Sequence, residues 1–327
     1  MTQIIKWGIL GPGAISRKFA TGLQSADGAE LLAIGSRNQE RAQAFADEFG
    51  FSRAYGSYDE LVNDPDVDAI YIGTPHSFHK AHSILCLRHG KHVICEKPFA
   101  INAKEAAEMI AVAREEKRVL MEAMWSRFLP TLVMVRALLN EEAIGEARMV
   151  QADFGFRTNV NPKGRLFDPA LGGGALLDVG IYPVSLAYML FGQPSQISSM
   201  ANLGETGVDE ETAVLFGYDT GQMAVLSTAI RLNTPHEAFI LGTEGWIKIM
   251  NPWWVSNQIA VKRHGQEEEI LDLPFKGNGY THEAEEVMTL IREGRLESDV
   301  IPLDESLAIM QTLDEIRAEL GVKYPME

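Results

Sequence analysis

The chain has 327 residues, of which 46% are hydrophobic and 23% are charged, a composition that is ordinary for a folded globular protein. This length exceeds the usual size of a single core, so two domains of roughly 100 to 200 residues are expected. The formal net charge of −16 argues against nucleic acid and anionic membranes as partners, because an acidic surface repels both.

The first predicted element is an apolar strand over residues 4–10, which runs directly into Gly11-x-Gly13-x-x-Ser16 and a helix. This order is typical of a dinucleotide-binding βαβ unit, the alternative being a glycine turn without a ligand. Gly11 permits the tight turn, Gly13 lets backbone N–H groups approach a pyrophosphate, and the helix directs its positive N-terminus at that group. Ser16 replaces the usual Gly or Ala and is still small. The predicted cofactor contacts of this turn are Gly11, Gly13, Ala14 and Ile15.

The second predicted strand ends at Ser36 and Arg37, and these residues indicate the kind of dinucleotide. An NAD-binding domain usually has an acidic residue here, against the ribose 2′-hydroxyl, and this sequence has no carboxylate at the position. A hydroxyl and a guanidinium suit a 2′-phosphate, because arginine can fork onto phosphate oxygens and stack on the adenine. The sequence therefore predicts NADP(H) in preference to NAD(H). The alternative is that Arg37 is an ordinary solvated loop residue.

Strands and helices continue to alternate through the first third of the chain, which predicts a doubly wound, mostly parallel sheet of the Rossmann type. We assign residues 1–122 to this dinucleotide-binding domain. The remaining elements predicted in it are helices at 39–49, 58–63 and 79–89, a helix capped by Asn102, and strands at 53–55, 69–72, 92–95 and 119–122.

From residue 123 onward the pattern changes to successive strands without helices between them, which predicts an α+β domain with a mainly antiparallel sheet. Because β-strand 223–230 has apolar residues on both faces, one chain's helices are not expected to cover both, and dimerisation through this sheet is predicted. We assign 123–327 to substrate binding and dimerisation. The predicted elements are helices at 131–139, 172–189, 282–293 and 304–320, and strands at 148–156, 212–217, 223–230, 238–241, 246–249, 259–263 and 269–273.

Ligands of open α/β sheets bind at the carboxyl ends of the strands, where two turns stand out. The turn at 73–76 brings small and rigid residues to the expected place of the nicotinamide ribose. The turn at 96–98 puts Lys97 at a strand end, where it could handle a proton or be a solvated surface lysine. His79 and His82 have a spacing that zinc could use, but further ligands at suitable spacing are missing, so we predict no metal and place His79 near the cofactor. The predicted contacts are Thr74, Pro75, His76, His79, Glu96 and Lys97.

A third segment of interest is the triglycine 172–174 and the residues that follow it. If the chain is helical from residue 175, Asp178 and Tyr182 lie four residues apart on one face and can aim at one ligand. Trp125, Trp254 and Tyr280 could line a substrate pocket, since aromatic faces suit the C–H surfaces of sugars or diols. They could equally be core or interface residues.

Three of these segments together carry a family resemblance: GILGPGAIS at 8–16, the triplet Glu96-Lys97-Pro98, and GGGALLDVGIYP at 172–183. In order and separation they resemble the glucose-fructose oxidoreductase and inositol dehydrogenase family (Gfo/Idh/MocA) over essentially the whole chain. EAMWSRFLP at 122–130 is similar to the branch that holds dihydrodiol dehydrogenase and NADP-dependent D-xylose dehydrogenase. The resemblance implies a Rossmann domain followed by an open-faced mixed sheet through which two chains dimerise.

The resemblance also implies roles for individual residues. It assigns the family's lysine to Lys97 and its motif aspartate to Asp178, and it places Tyr182 where inositol dehydrogenases have histidine. That difference points to the tyrosine-using branches and away from inositol as substrate. The expected substrate contacts are Trp125, Arg127, Asp178, Tyr182 and Tyr280.

The chemistry expected of such a site is hydride transfer to or from a hydroxyl-bearing carbon of a sugar, polyol or trans-dihydrodiol. Tyr182 and Lys97 form the predicted acid–base pair, because a neighbouring cation favours the phenolate, and Asp178 has an orienting role. Lys97 as the base, with Tyr182 only binding substrate, is an open alternative. A non-catalytic nucleotide sensor on the same fold is the other, although sensing requires none of these three residues.

The compartment is predicted from cysteine usage and from the start of the chain. Cys86 and Cys95 lie in apolar surroundings and are expected to be buried free thiols of a reducing compartment. The first residues lack a basic stretch and a cleavage site, and no apolar run is expected to approach 18 residues. We therefore predict a cytoplasmic protein without a membrane partner.

Overall fold

The computed structural model describes residues 3–327, which form two compact units. Unit 1 consists of the residues up to Trp125 together with Lys276–Leu307, and unit 2 consists of Ser126–Phe275 and Ala308–Glu327. The return of Lys276–Leu307 to the first unit was not predicted. The assignment of 1–122 to cofactor and of 123–327 to substrate concerns binding roles and stays a prediction.

Unit 1 contains a six-stranded parallel sheet with the strand order β3-β2-β1-β4-β5-β6. This order is that of a doubly wound Rossmann sheet, and it confirms the predicted fold class of this part of the chain. The topological switch point lies between β1 and β4, at the carboxyl ends of these strands. The strands are β1 Ile5–Leu10, β2 Ala29–Gly35, β3 Arg53–Tyr55, β4 Ala69–Ile72, β5 His92–Glu96 and β6 Leu120–Ala123.

The helices follow the predicted alternation closely. Those of the chain are α1 Ala14–Leu23, α2 Gln39–Phe49, α3 Tyr58–Asn63, α4 His79–Arg88, α5 Ala103–Glu116, α6 Pro130–Asn140, α7 Ile181–Phe191, α8 Tyr280–Glu293 and α9 Leu303–Leu320. Short 3₁₀ turns span His76–Phe78, Trp125–Phe128, Pro169–Leu171 and Trp253–Val255, and Leu176–Gly180 forms a π-helical turn. The predicted N-cap of α5 is confirmed, because the Asn102 side chain accepts a hydrogen bond from Glu105 N at 2.9 Å.

An aromatic stack holds the first helix of unit 1 on its sheet. Phe19 of α1 stacks on Tyr71 of β4, with ring centroids 3.8 Å apart, and meets Trp7 of β1 edge-on at 5.5 Å. All three side chains are fully buried. Burying large rings between α1 and two adjacent strands fixes the helix that follows the glycine turn.

Unit 2 contains an eight-stranded mixed sheet in the order β14-β13-β12-β11-β7-β10-β9-β8. All pairs are antiparallel except β7 with β10, so the predicted sheet is confirmed as mainly antiparallel. The strands are β7 Ala147–Gly155, β8 Gln196–Leu203, β9 Asp209–Gly217, β10 Met223–Ala229, β11 Ala238–Gly242, β12 Gly245–Ile249, β13 Gln258–Arg263 and β14 Glu269–Asp272. β8 was not predicted, because an exposed edge strand needs no apolar alternation.

The two faces of the unit 2 sheet differ. The π-helical turn and α7 pack on one face, over β7, β9 and β10. Alternate side chains of β10 are buried there, whereas their neighbours on the opposite face are exposed. The exposed large apolar side chains of β8 to β10 are Met200, Leu203, Leu215, Met223 and Val225, and Val225 lies directly opposite Leu215.

One helical segment of unit 2 is more apolar than the sequence reasoning expected. Pro169–Phe191 spans 23 residues with a mean hydropathy of 1.5, so by length and composition it could cross a membrane. The expectation that no segment would approach this length is therefore wrong. In the structure 83% of its most apolar window is buried inside the protein. A helix that is apolar all round is equally typical of the core of a large domain.

Candidate functional site

The glycine turn of unit 1 has the shape that a pyrophosphate requires. Gly11 has a φ of +97°, which favours glycine, and its N–H donates to the carbonyl of Gly35 at 3.0 Å. A side chain at Gly13 would meet the carbonyl of Gly73 at 3.3 Å. The backbone of Gly35 and Gly73 therefore packs closely against this turn, and Gly13 must stay small to avoid the carbonyl of Gly73.

Ser16 takes the place of the third small residue of the fingerprint. It is fully buried, and its Oγ donates to the carbonyl of Gly11 at 2.6 Å. A Cβ at Gly73 would overlap this Oγ and would lie 2.9 Å from the Tyr71 ring. Ser16 and Gly73 therefore form a matched pair that brings α1 close to the end of β4.

The N-terminus of α1 fits an anionic group. Gly13 is its N-cap and provides no side-chain hydrogen bond to the first turn. The leading N–H groups of a helix carry partial positive charge, and a phosphate commonly satisfies them. Gly11, Gly13 and the start of α1 could accordingly hold the pyrophosphate of a dinucleotide, and Ala14 and Ile15 lie in the first turn of that helix.

The end of β2 presents cations next to the glycine turn. Ser36 is buried, while Arg37 is exposed. Burial raises the pKa of Tyr58, and the guanidinium groups of Arg37 and Arg41 oppose that rise, so both lie near its hydroxyl. That hydroxyl is 3.8 Å from the position of a Cβ at Gly11. Arg41, in the first turn of α2, was missed by the sequence reasoning.

The turns after β4 and β5 are tied together by His79, which is fully buried. Its Nδ1 lies 2.9 Å from the carbonyl of Pro98 and its Nε2 lies 2.8 Å from that of Thr74. Burial lowers the pKa of His79, and the neutral ring has a single N–H to donate. His79 thus has a clear structural role, and its contact with a cofactor stays a prediction.

His82 lies beside the same turn. Its Nδ1 is 3.0 Å from Thr74 Oγ1, and its ring packs between Tyr58 and Phe78. Burial lowers its pKa to about 4, with smaller effects from His79 and Arg37, so the ring is neutral at physiological pH. Among residues 3–327 no three His, Cys, Asp or Glu side chains are grouped so that they could hold a metal ion.

Glu96 orders the turn that carries Lys97. One of its oxygens accepts a hydrogen bond from the Tyr71 hydroxyl at 2.5 Å, and the other accepts one from Lys97 N at 3.2 Å. Burial and the Glu96 charge raise the pKa of Tyr71. Glu283 of α8 is also fully buried, and burial followed by the Glu96 charge raises its pKa well above the usual range. Lys97 therefore directly follows Glu96, which forms a buried acidic cluster with Glu283. The sequence did not indicate this cluster, because its two members are far apart in the chain.

Two of the predicted substrate-binding aromatic residues pack on each other in unit 1. Trp125 and Tyr280 stack with ring centroids 4.5 Å apart and ring planes 14° apart. Both are almost entirely buried, at 6% and 5% exposure. The first turn of α8 is held against α1 by Thr281, whose hydroxyl donates to the carbonyl of Gly22 at 2.9 Å.

In unit 2 the segment that carries Asp178 and Tyr182 is helical from residue 175, as the sequence reasoning supposed, but Leu176–Gly180 form a π-helical turn. Asp178 therefore lies in this wider turn, while Tyr182 lies in α7. Such turns within helices are rare and occur often at functional sites. The sequence period cannot reveal them, because one turn is too short to shift it.

Asp178 is buried and is paired with Arg165, whose Nη1 lies 2.6 Å from Asp178 Oδ1. The Arg165 side chain is 57% exposed, so the pair joins a buried carboxylate to the protein surface. Arg165 lies in the irregular segment between β7 and the triglycine. Sequence reasoning missed it, since an arginine in a loop has no distinguishing pattern.

The Tyr182 ring is 6% exposed and belongs to an aromatic group of unit 2. Phe154 of β7 lies 5.2 Å from Tyr182 between ring centroids and stacks on Trp254 at 3.4 Å. His236 packs edge-on against Phe154 and Trp254. Phe154 and His236 were not singled out from the sequence, because Phe154 is far along the chain from both His236 and Trp254.

Arg127, a predicted substrate residue, is buried in unit 2 and bound to α7. Its Nε donates to Ser185 Oγ at 2.9 Å and its Nη2 donates to the Ser185 carbonyl at 2.7 Å. These contacts give Arg127 a structural role on the helix of Tyr182. Its contact with substrate stays a prediction.

Comparison with known proteins identifies two matching family regions. Residues 5–124 match the family described as "Oxidoreductase family, NAD-binding Rossmann fold", and residues 132–248 match the family described as "GFO/IDH/MocA C-terminal domain". The chain is 39% identical over 332 residues to trans-1,2-dihydrobenzene-1,2-diol dehydrogenase of Xenopus tropicalis, an alignment that covers 98% of this chain and 99% of that protein. The human enzyme of the same name is also 39% identical, with 99% of each chain covered.

Solved structures of similar fold include two oxidoreductases at 25% identity. A 3-ketoreductase from Actinomadura kijaniata, solved with NADP and TDP-benzene, superposes with a TM-score of 0.87 over 97% of this chain and 98% of that one. Aldose-aldose oxidoreductase from Caulobacter crescentus, solved with glycerol, superposes with a TM-score of 0.88 over 97% of both chains. Taken with the glycine turn and the strand order of unit 1, these similarities show that the chain belongs to the Gfo/Idh/MocA family of oxidoreductases.

Proposed function

We propose that this oxidoreductase uses NADP(H) and transfers a hydride to or from a hydroxyl-bearing carbon of a trans-dihydrodiol, sugar or polyol. The observation that carries the proposal is the 39% identity to dihydrodiol dehydrogenases along the whole chain, rather than in the nucleotide-binding part alone. A protein that only sensed the nucleotide would need no such similarity throughout its second unit.

The preference for NADP(H) rests on charge at the end of β2. Arg37 and Arg41 both act electrostatically on Tyr58, whose hydroxyl lies beside the glycine turn, in a chain with a net charge of −16. Two guanidinium groups make stronger, charge-assisted hydrogen bonds to a 2′-phosphate than to a neutral 2′-hydroxyl. Ser36, which is buried, stands at the strand end where an NAD-binding domain usually has a carboxylate.

The proposed proton transfer uses Tyr182 and Lys97. When bound, the nicotinamide accepts the hydride in oxidation and donates it in reduction. In oxidation, Tyr182 takes the hydroxyl proton as the C–H bond breaks, and the Lys97 ammonium favours its phenolate. Asp178, paired with Arg165 at 2.6 Å, has the orienting role. Lys97 belongs to unit 1 and Tyr182 to unit 2, and the single and double variants below test whether they act as one acid–base pair.

The substrate class is supported by the aromatic group beside Tyr182. Phe154 packs beside Tyr182 and stacks on Trp254, and aromatic ring faces suit the apolar faces of a cyclic diol or a sugar. We also propose a cytoplasmic homodimer that covers the exposed apolar face of the unit 2 sheet.

The test is cofactor reduction with a panel of dihydrodiols, sugars and polyols. Lys97→Met and Tyr182→Phe are each expected to lower kcat by at least ~10² with little change in NADPH affinity, and the double variant should be little worse than either. Lys80→Met and Tyr218→Phe are the matched controls, one on the surface of α4 and one buried in unit 2. Full activity of both Lys97→Met and Tyr182→Phe would refute the acid–base assignment, and absence of turnover with any panel member would refute the substrate class.

A further inference from the structure

The triglycine segment 172–174 connects the loop of Arg165 to the π-helical turn of Asp178, and its backbone controls where that turn begins. Gly174 has a φ of +124°, and its carbonyl accepts the hydrogen bond from Asp178 N at 3.3 Å. Its N–H donates to the carbonyl of Leu166 at 2.9 Å. A displacement of Gly174 therefore moves Asp178 directly.

Asp209, the first residue of β9, holds the far end of this segment. Its Oδ2 accepts hydrogen bonds from Leu176 N and from Thr212 Oγ1, both at 2.7 Å. Its Oδ1 occupies the space that a Cβ of Gly174 would need. The carboxylate thus fills the place of a missing side chain and caps the N–H of the turn that follows.

Tyr324, four residues after α9, holds the middle of the segment. Its hydroxyl donates to the carbonyl of Gly173 at 2.8 Å, and the residue is only 3% exposed. Arg317 lies over the Tyr324 ring, with its guanidinium carbon 4.7 Å from the centroid, and is itself paired with Asp314. Arg317 thus holds the face of the ring, and the hydroxyl is held by the carbonyl of Gly173.

We propose that Asp209 and Tyr324 are positioning residues that fix the triglycine segment and, through it, the turn that carries Asp178 and leads to Tyr182. Three glycines in succession have more freedom than any other tripeptide, so a backbone that must place a reacting group to within a fraction of an ångström needs external contacts. The two side chains supply these contacts from β9 and from the segment after α9. The inference rests on the proposed function only in its consequence for catalysis.

The primary test measures the segment itself and needs no substrate. Backbone hydrogen exchange is followed by mass spectrometry in peptides that cover 166–180, for the wild type, Tyr324→Phe, Asp209→Ala and Asp209→Asn. Tyr324→Phe and Asp209→Ala are expected to exchange about tenfold faster there, because each loses the buried hydrogen bond that its side chain makes to this segment. Asp209→Asn keeps an acceptor for Leu176 N and should exchange nearly as slowly as the wild type.

Tyr218→Phe is the matched control, because Tyr218 is a buried tyrosine of unit 2 whose hydroxyl has no hydrogen-bond partner within the described chain. Its removal should leave exchange at 166–180 unchanged. Wild-type exchange in Tyr324→Phe and Asp209→Ala would overturn the proposal. Faster exchange everywhere in unit 2 would also overturn it, since that result means general loosening.

Turnover gives the second readout. With a substrate from the panel above, kcat should fall about tenfold in Tyr324→Phe and more in Asp209→Ala, with rescue in Asp209→Asn and unchanged NADPH affinity. A merely structural role would lower the melting temperature and leave kcat intact below it. If Tyr182→Phe is fully active, the acid–base proposal fails while the exchange result still decides the positioning role. Unchanged kcat in both Tyr324→Phe and Asp209→Ala would refute the catalytic consequence.

Discussion

Replacing Asp209 by asparagine should change how the stability of the protein depends on pH. Asp209 is 1% exposed, and burial raises the pKa of its carboxyl from 3.8 to about 6, against smaller opposing effects of Thr212, Leu176 N and Arg317. A folded pKa above the unfolded value means that the native state binds the proton more strongly. This group's stabilising contribution is therefore present at low pH and is lost as pH rises from about 4 to about 6.

The size of the effect follows from the shift. A difference of about two pKa units corresponds to about 3 kcal/mol in the free energy of unfolding, the cost of ionising the carboxyl inside the protein. Asparagine has the same shape and does not ionise. Relative to the wild type, Asp209→Asn should therefore gain about 3 kcal/mol in the free energy of unfolding when the pH is raised from about 4 to about 7.

The assay is urea unfolding at several pH values for both proteins. Subtracting the two curves cancels the carboxylates that they share, and Asp219→Asn, on the exposed turn after β9, is the control for removing an aspartate that solvent screens. A wild-type minus variant difference that stays constant with pH would refute the reasoning. A difference of the opposite sign would mean that the hydrogen bonds to Asp209 outweigh its burial.

Three further predictions concern the cofactor turn, its packing and the sheet. Arg37→Ala should weaken NADP binding far more than NAD binding by titration calorimetry, and equal losses would exclude a 2′-phosphate contact. Gly73→Ala should lower the free energy of unfolding by about 1–3 kcal/mol, because the new Cβ overlaps Ser16 Oγ. Adding Ser16→Gly should restore part of the lost stability. No loss of stability in Gly73→Ala would show that α1 can shift to make room. The wild type should be a dimer in light scattering at micromolar concentration, and Val225→Glu, on the exposed sheet face, should shift it to monomer. A wild-type monomer would refute the proposed interface.

Local patterns in the sequence were sufficient for most of the secondary structure. The predicted bounds of α2 and α3 agree with the structure at both ends, and Asn102 caps α5 as predicted. Strand, glycine turn and helix are a signal confined to about 20 neighbouring residues, so the nucleotide-binding shape of Gly11 and Gly13 needed no tertiary information. The edge strand β8 escaped notice because its exposed residues have no apolar period.

The sequence by itself determined the fold class of each part, the position of the nucleotide turn and the segments in which Lys97, Asp178 and Tyr182 lie. Only the tertiary structure decided how these segments are held. Arg165 reaches Asp178 from a patternless loop, the π-helical turn replaces an α-helical one, and Asp209 meets Leu176 across 33 positions while Tyr324 meets Gly173 across 151. The reason is physical: periodicity reports which face of an element is buried, whereas the partner of a buried polar group and the shift of its pKa depend on what packing brings beside it.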